Sequence, residues 1–120
     1  GTVQDVAGIA AALAGRVPLH LDAVQAAGWL PLSDTSADAL SIAGHKIGAP
    51  KGIGALGIRS RIPLEPVIHG GGQERERRSG TENVAGAVGL ARAVELAEAD
   101  RVDAAARVSA LRSSDGKVNG

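Results

Sequence analysis

Residues 41–56 read Ser41-Ile42-Ala43-Gly44-His45-Lys46-Ile47-Gly48-Ala49-Pro50-Lys51-Gly52-Ile53-Gly54-Ala55-Leu56. A short apolar run leads into a His-Lys pair, and a glycine-rich loop broken by proline precedes a second apolar run. This pattern predicts a buried strand ending near Lys46, where we expect little water, and glycines that allow close backbone approach to a ligand. A desolvated lysine favours its neutral, nucleophilic form and can condense with a carbonyl group to give a Schiff base. Lys46 is therefore the candidate catalytic residue.

Two other interpretations of Lys46 need comparison. A lysine near glycines is most often a solvated loop residue without a chemical role. A phosphate-binding loop requires Gly-Lys followed by Ser or Thr, whereas Lys46 follows His45 and precedes Ile47. The motif therefore excludes that loop, and the choice between Schiff-base lysine and solvated lysine depends on the neighbouring segments.

An acidic residue ends the predicted strand upstream, in a segment that reads Val17-Pro18-Leu19-His20-Leu21-Asp22-Ala23-Val24-Gln25. Pyridoxal phosphate acts as an electron sink while its ring nitrogen stays protonated, and a buried carboxylate beside the ring keeps it so. Asp22 is the candidate for that carboxylate, and Gln25 could donate a hydrogen bond to the ring hydroxyl. An acid at a strand end is also common in α/β folds that bind no cofactor.

Helices and strands alternate in the expected order of an α/β fold. Apolar spacing predicts a helix over residues 3–13, with Gly15 as its stop. Strands are predicted over residues 17–22, 39–43 and 53–58, the last two as a hairpin around the loop 48–52, and residues 29–32 are predicted to be an edge or loop. A long helix follows, over about residues 82–111. Its apolar stripe consists of Leu90, Val94, Ala97, Ala104, Val108 and Leu111.

Charged residues on the long helix are spaced for surface ion pairs. Arg92 with Glu95, and Glu98 with Arg101, are each three positions apart. Asp38, just before the second strand, is either a cap or a solvated residue and is given no chemical role.

The start of the long helix allows two interpretations. Ser79-Gly80-Thr81 offers exposed amides and hydroxyls, which favour a phosphate group at a helix N-terminus. The alternative is an ordinary N-cap, in which Ser79 or Thr81 satisfies the first turn. The residues alone favour the cap.

Composition excludes several classes of function. Thirteen basic and thirteen acidic residues give a formal charge of zero, and the run 73–78 alternates in sign without aromatic neighbours, so no nucleic-acid partner is expected. No apolar run is long enough to cross a membrane, and the N-terminus lacks the pattern of a secretory signal, so a cytoplasmic location is expected. The chain has no cysteine, and therefore no disulfide or thiolate chemistry of its own. Its only aromatic residue is Trp29, which predicts a core of small aliphatic side chains.

A lipase-type oxyanion loop is the other motif that these residues suggest. His69-Gly70-Gly71-Gly72 matches such loops. That interpretation also requires a Gly-x-Ser-x-Gly elbow, which the sequence does not contain. We therefore reject the hydrolase, and no metal site is expected.

Six segments in order resemble the class V aminotransferases, and most closely the cysteine desulfurases. They are Gly1-Thr2-Val3-Gln4, Leu21-Asp22-Ala23-Val24-Gln25, Gly44-His45-Lys46, Pro50-Lys51-Gly52-Ile53-Gly54-Ala55-Leu56, Gly70-Gly71-Gly72-Gln73-Glu74-Arg75 and Arg78-Ser79-Gly80-Thr81-Glu82-Asn83. The resemblance extends to about residue 97. It implies an α/β fold that is part of the large pyridoxal-phosphate-binding domain of a fold-type I enzyme, similar to aspartate aminotransferase.

The resemblance also implies a function and a set of site residues. The enzyme would remove sulfur from L-cysteine, leaving L-alanine and a persulfide for a sulfur-acceptor protein in iron–sulfur cluster or thiolation pathways. Lys46 would bind pyridoxal 5'-phosphate covalently and move protons, Asp22 would keep the ring nitrogen protonated, and Gln25 would bond the ring oxygen. His45 would contact the phosphate, and Thr81 would contact the phosphate of the partner subunit in a homodimer.

Four positions depart from the family pattern. Ala43 stands where a phosphate-binding serine is usual, Ala49 and Glu76 stand where glycines are common, and Gly57 replaces a frequent tyrosine. The first of these makes the phosphate site less complete than the Schiff-base site. Arg75, Arg77 and Arg78 lie in a segment near the family's active-site rim, and no single one can be assigned to the substrate.

The resemblance covers the middle of such an enzyme. Residues 1–112 would form part of the large domain with a long connecting helix, and residues 113–120 a linker into the small domain. The isolated chain would then be inactive, because the catalytic cysteine lies outside it. Two alternatives stay open: a segment of a selenocysteine lyase or another class V aminotransferase, and a non-catalytic remnant that serves as a dimerisation module.

Overall fold

The computed structural model describes residues 2–114. The elements in chain order are helix α1 (Val6–Leu13), strand β1 (His20–Asp22), strand β2 (Ala39–Ala43), a single 3-10 turn (Gly44–Lys46), strand β3 (Gly54–Ile58), helix α2 (Gln73–Glu76) and helix α3 (Val84–Ser114). This α/β arrangement confirms the predicted fold class.

One three-stranded mixed sheet forms the centre, with strand order β1-β2-β3. β1 pairs with β2 in parallel, and β2 pairs with β3 in an antiparallel hairpin that joins Ala43 to Gly54. The predicted hairpin is confirmed. The first strand is shorter than the predicted 17–22, because Pro18 has no N–H for the ladder and the N–H of Leu19 binds the Asp38 carboxylate instead.

α1 begins and ends through local capping. The Asp5 side chain accepts a hydrogen bond from the Gly8 amide at 2.9 Å, so the helix begins at Val6 rather than at residue 3. It ends at Leu13, as predicted, and Ala14, with a φ of 50°, is the left-handed C-cap one residue before Gly15.

α3 packs its N-terminal half on the loops that follow β1 and β2. A Cβ at Gly89 would lie 2.8 Å from Pro50, and one at Gly28 would lie 3.3 Å from Ala97. Leu90 and Ala93 are buried there. Farther along the predicted stripe Val108 and Leu111 are exposed. Val94 is exposed to the same extent as Val108, and Ala97 and Ala104 are half-buried, so the body of the chain covers the predicted stripe only in part.

Both predicted ion pairs on α3 are present. Arg92 pairs with Glu95 at 2.8 Å and Arg101 with Glu98 at 3.0 Å. α3 also includes residues 113–114, the first two of the predicted linker, whereas residues 115–120 lie outside the described part of the chain.

Small residues make up most of the core, as the scarcity of aromatic residues predicts. The buried apolar residues are Ala23, Ala27, Ala37, Leu90 and Ala93. Within residues 2–114, no large side chain is fully buried. None of the helices in that range is both long and apolar enough to span a lipid bilayer.

Candidate functional site

The His45-Lys46 pair lies on a tight turn directly after β2. The Gly44 amide donates to the Ile53 carbonyl at 2.9 Å, and the amides of Ile47 and Ala49 both donate to the Gly44 carbonyl at 3.0 Å. Gly44 is itself buried, so these three bonds hold the base of the turn. The backbone that carries His45 and Lys46 is therefore well defined, although their side chains are exposed.

The prediction that Lys46 lies in a dry environment is wrong for this chain. Its side chain is exposed to solvent, and within residues 2–114 it forms no ion pair. Strand β2, which precedes it, is only half-buried along its whole length, although β1 and β3 flank it on both sides. β2 and the turn that follows it fix the backbone of Lys46, but they leave the Lys46 amine exposed to water.

Asp22 ends β1 and is held by its neighbours. Its carboxylate Oδ1 accepts a hydrogen bond from the Val24 amide at 3.0 Å, and the Ala23 amide donates to the Ser41 carbonyl at 2.9 Å. Asp22 and Gln25 are both exposed, so the expected burial of the carboxylate is also wrong in this chain. No hydrogen bond to the second oxygen, Oδ2, occurs within the described residues.

The strand arrangement brings Asp22 and the His45-Lys46 turn to one edge of the sheet. β1 and β2 run in parallel, with Asp22 opposite Ser41, so both carboxyl ends meet at that edge. Ligands of α/β sheets bind outside the carboxyl ends of parallel strands. We name this edge, with Asp22, Gln25, His45 and Lys46, the β1–β2 edge. No hydrogen bond or ion pair joins these four side chains to one another in residues 2–114.

Thr81 is not the cap of the long helix. The Asn83 side chain accepts a hydrogen bond from the Gly86 amide at 2.9 Å, which makes Asn83 the cap. Ser79 is buried and accepts from the Gly72 amide at 3.4 Å. The predicted cap by Ser79 or Thr81 is therefore wrong, and the exposed Thr81 hydroxyl is not used by the helix.

Sequence reasoning missed that α2 (Gln73–Glu76), shortly before Thr81, is not a regular right-handed helix but contains a left-handed turn. Glu74, Arg75 and Glu76 have φ values of 52°, 57° and 65°. Such a run is unusual for residues with side chains. The signal was Glu76, which occupies a position where the resemblance expects glycine.

It also missed three polar contacts around β1. Asp38 accepts from the Leu19 amide at 2.9 Å through Oδ2, and its other oxygen pairs with Arg61. The His20 ring nitrogen Nε2 lies 3.1 Å from the Ser41 hydroxyl oxygen. None of the three contacts has a sequence signature, because the partners are 19 to 23 residues apart.

The sequence of this chain matches a known protein family. The family model described as "Aminotransferase class-V" matches residues 1–114. The chain belongs to the class-V aminotransferase family. Enzymes of this family use pyridoxal phosphate in general, and the predicted resemblance is confirmed.

Relatives of the family with similar sequences carry one activity in their names. An IscS-like cysteine desulfurase of Mycobacterium tuberculosis is 45% identical over 115 residues, which are 93% of this chain and 29% of that protein. A cysteine desulfurase of Gluconacetobacter diazotrophicus is 49% identical over 116 residues, again 93% of this chain and 29% of that protein. The chain thus spans less than a third of the length of these relatives.

Solved structures of the family agree in fold. A NifS-like protein superposes with a TM-score of 0.90 at 43% identity, over 95% of this chain and 33% of that one. DndA from Streptomyces lividans gives 0.78 at 46% identity, over 86% of this chain and 31% of that one. The fold is therefore that of the fold-type I family, as predicted.

The residues at the β1–β2 edge fit the family cofactor. A free carboxylate oxygen on Asp22 suits a protonated ring nitrogen, and the exposed Lys46 amine suits an aldehyde. The close turn at Gly44 leaves no room for a side chain, since a Cβ there would lie 2.9 Å from the Ile53 carbonyl oxygen. Ala43 has no hydroxyl that could donate a hydrogen bond to a phosphate, so such hydrogen bonds would have to come from His45 and from other residues.

Proposed function

We propose that this chain forms part of a pyridoxal-phosphate-dependent cysteine desulfurase, which takes sulfur from L-cysteine and leaves L-alanine. The proposal depends mainly on one observation: β1 and β2 are adjacent parallel strands, and Asp22 and Lys46 lie at the same edge of the sheet, at or just after the carboxyl ends of these strands. The names of the relatives and the 45% to 49% identities support the choice of reaction.

The proposed roles follow from the chemistry of each side chain. When bound, pyridoxal phosphate supplies an electron sink that stabilises negative charge developing next to the amino group of an amino acid. Lys46 would bind the cofactor covalently through its Nζ atom and move protons as a general base and acid. Asp22 would hold the proton on the ring nitrogen through Oδ2, and Gln25 would donate to the ring oxygen.

Phosphate binding would involve both subunits of a homodimer. His45 would contact the phosphate from the turn after β2, and Thr81 would reach the phosphate of the partner subunit. The free Thr81 hydroxyl supports this role, because Asn83 already caps the helix. Dimerisation, a cytoplasmic location and transfer of the sulfur to an acceptor protein remain parts of the proposal.

The thiol that accepts the sulfur is not among these 120 residues, because the chain contains no cysteine. The 120-residue chain by itself should therefore bind the cofactor without releasing sulfide or alanine. In a longer polypeptide that supplies a cysteine, alanine should form from L-cysteine. Selenide from selenocysteine alone, or a keto acid from transamination, would indicate another reaction of the family.

Covalent labelling tests the central claim. We expect the chain mixed with pyridoxal phosphate and reduced with borohydride to carry the label on Lys46, located by peptide mass spectrometry. Lys51 and Lys117 are the other two lysines and serve as internal references. Lys46→Arg keeps the charge and should abolish the label, whereas Lys51→Arg, a change in the same loop, should leave it. Equal labelling of all three lysines, or none in a folded chain, would contradict the proposal.

A further inference from the structure

One polar contact lies on the sheet face that carries Asp22 and has no role so far. His20 Nε2 lies 3.1 Å from Ser41 Oγ. In the parallel ladder His20 is opposite Ala39 and Asp22 is opposite Ser41. Since side chains alternate between faces along a strand, His20, Asp22 and Ser41 share one face of the sheet.

Ser41 holds the chain on both sides of Asp22. Its carbonyl accepts the Ala23 amide at 2.9 Å, directly after Asp22, and its hydroxyl contacts His20, two residues before Asp22. Ala23 is fully buried, so the backbone hydrogen bond between the Ala23 amide and the Ser41 carbonyl is shielded from water. The contact between His20 and Ser41 involves two side chains, so a substitution of either residue can remove it.

β1 needs such a contact because it is short. It has three residues and lies at the edge of the described sheet. Pro18 lacks an amide hydrogen and Leu19 gives its own to the Asp38 side chain. The segment before His20 is therefore held to β2 through the Leu19 carbonyl, which accepts from the amides of Asp38 and Ala39 at 2.8 and 3.2 Å. A slip of one residue would move the Asp22 carboxylate to the opposite face.

A serine next to a histidine can also indicate a nucleophile and its base. That arrangement needs a third group that orients the histidine. The Asp22 carboxylate accepts from the Val24 amide and forms no hydrogen bond with His20. The contact therefore does not form a catalytic triad.

We propose that His20 and Ser41 are positioning residues, which fix the direction in which the Asp22 carboxylate leaves β1. The inference rests on the proposed function, in which Asp22 receives the ring nitrogen. His20 and Ser41 themselves do not touch the cofactor in this assignment, and their effect passes through Asp22 alone.

A double-mutant cycle on the full chain tests this. Pyridoxal phosphate affinity is read from quenching of Trp29, the only tryptophan. Ser41→Ala should weaken binding about tenfold, the equivalent of one lost hydrogen bond, and Ser41→Thr should restore it because it keeps the hydroxyl. In the Asp22→Ala background, Ser41→Ala should have no further effect, since coupled residues are not additive. Ser33→Ala, an exposed serine elsewhere, is the matched control.

The outcomes separate the inference from the proposed function. Unchanged affinity in Ser41→Ala, or the same loss in both backgrounds, would overturn the positioning role and leave the proposed function intact. Wild-type affinity in Asp22→Ala would instead overturn the role of Asp22 in the proposed function.

A second measurement needs no cofactor. The Val24 amide donates to Asp22 Oδ1, so its hydrogen exchange reports the position of that carboxylate. Ser41→Ala and His20→Phe should each speed this exchange about tenfold, as expected for loss of one hydrogen bond. Ser33→Ala should not. Unchanged exchange of Val24 in both variants would overturn the inference, whether or not the chain binds pyridoxal phosphate.

Discussion

The amide nitrogen of Gly44 lies 2.9 Å from the carbonyl oxygen of Ile53, and a Cβ on residue 44 would lie 2.9 Å from the same oxygen. The same Cβ would also lie 2.9 Å from a side-chain carbon of Ala49. The turn that presents His45 and Lys46 therefore depends on the absence of a side chain at residue 44.

Gly44→Ala should destabilise the chain by about 1–3 kcal/mol, because the added methyl group overpacks a site that has a rigid backbone on one side. Urea denaturation followed by circular dichroism measures the loss. Gly57→Ala is the matched control, since its Cβ would meet the Leu40 carbonyl at an ordinary 3.9 Å. Equal stability of the two variants would show that the turn can move aside.

Asp38→Ala should lower the free energy of unfolding by about 1–3 kcal/mol, because it leaves the Leu19 amide without its partner. The Asp38 side chain is only 12% exposed, so water replaces the carboxylate poorly. Asp34→Ala is the control, because Asp34 is exposed and, within residues 2–114, its side chain accepts only one hydrogen bond, from the Ser33 hydroxyl at a long 3.4 Å. A smaller loss in Asp38→Ala than in Asp34→Ala would contradict the structural role of Asp38.

Local patterns predicted those parts of the fold whose causes are local. β2 matches the predicted 39–43, and the ion pair of Arg92 with Glu95 follows from helix spacing. β1 is shorter than predicted because Asp38, 19 residues away, takes the Leu19 amide. No window of neighbouring residues contains that competition.

The candidate site was predicted in its residue types and not in its surroundings. The acid and the lysine reach the same edge because β1 and β2 are parallel neighbours. The exposure of Asp22 and Lys46 depends on what else covers the sheet. Burial is a property of the whole assembly of elements, so a strand's own sequence does not determine it.

Asp100 and Arg107 supply a prediction about pH. Arg107 Nη2 lies 2.8 Å from Asp100 Oδ2, and this hydrogen bond lowers the pKa of the Asp100 carboxyl and raises the pKa of Arg107. The pKa of Asp100 is lower in the folded chain than in the unfolded chain, where it is about 3.9. The pair therefore stabilises α3 fully at pH values above that unfolded pKa. That contribution is lost as the pH falls through the folded pKa.

A carbon-13 NMR titration of the Asp100 carboxyl measures this. In Arg107→Gln the midpoint should rise toward the ordinary value for aspartate, and added salt should raise it in the unmodified chain as well, because the pair is exposed. Arg112→Gln removes a charge from the same helix without removing the pair and should leave the midpoint in place. An unchanged midpoint in Arg107→Gln would show that the two side chains do not pair in solution.

Glu76→Gly should stabilise the chain. Glu76 has a φ of 65°, a conformation that costs a residue with a side chain about 1–2 kcal/mol and glycine almost nothing. Part of that gain is offset because glycine also widens the unfolded ensemble, so the expected net increase is about 0.5–1 kcal/mol. Thermal denaturation at fixed pH gives the value. Glu65→Gly is the matched control: Glu65 is exposed and is not among the described residues with positive φ, so glycine there should destabilise by a few tenths of a kcal/mol. If both variants lose stability alike, the backbone at residue 76 is right-handed in solution, and Glu76 does not occupy a position that favours glycine.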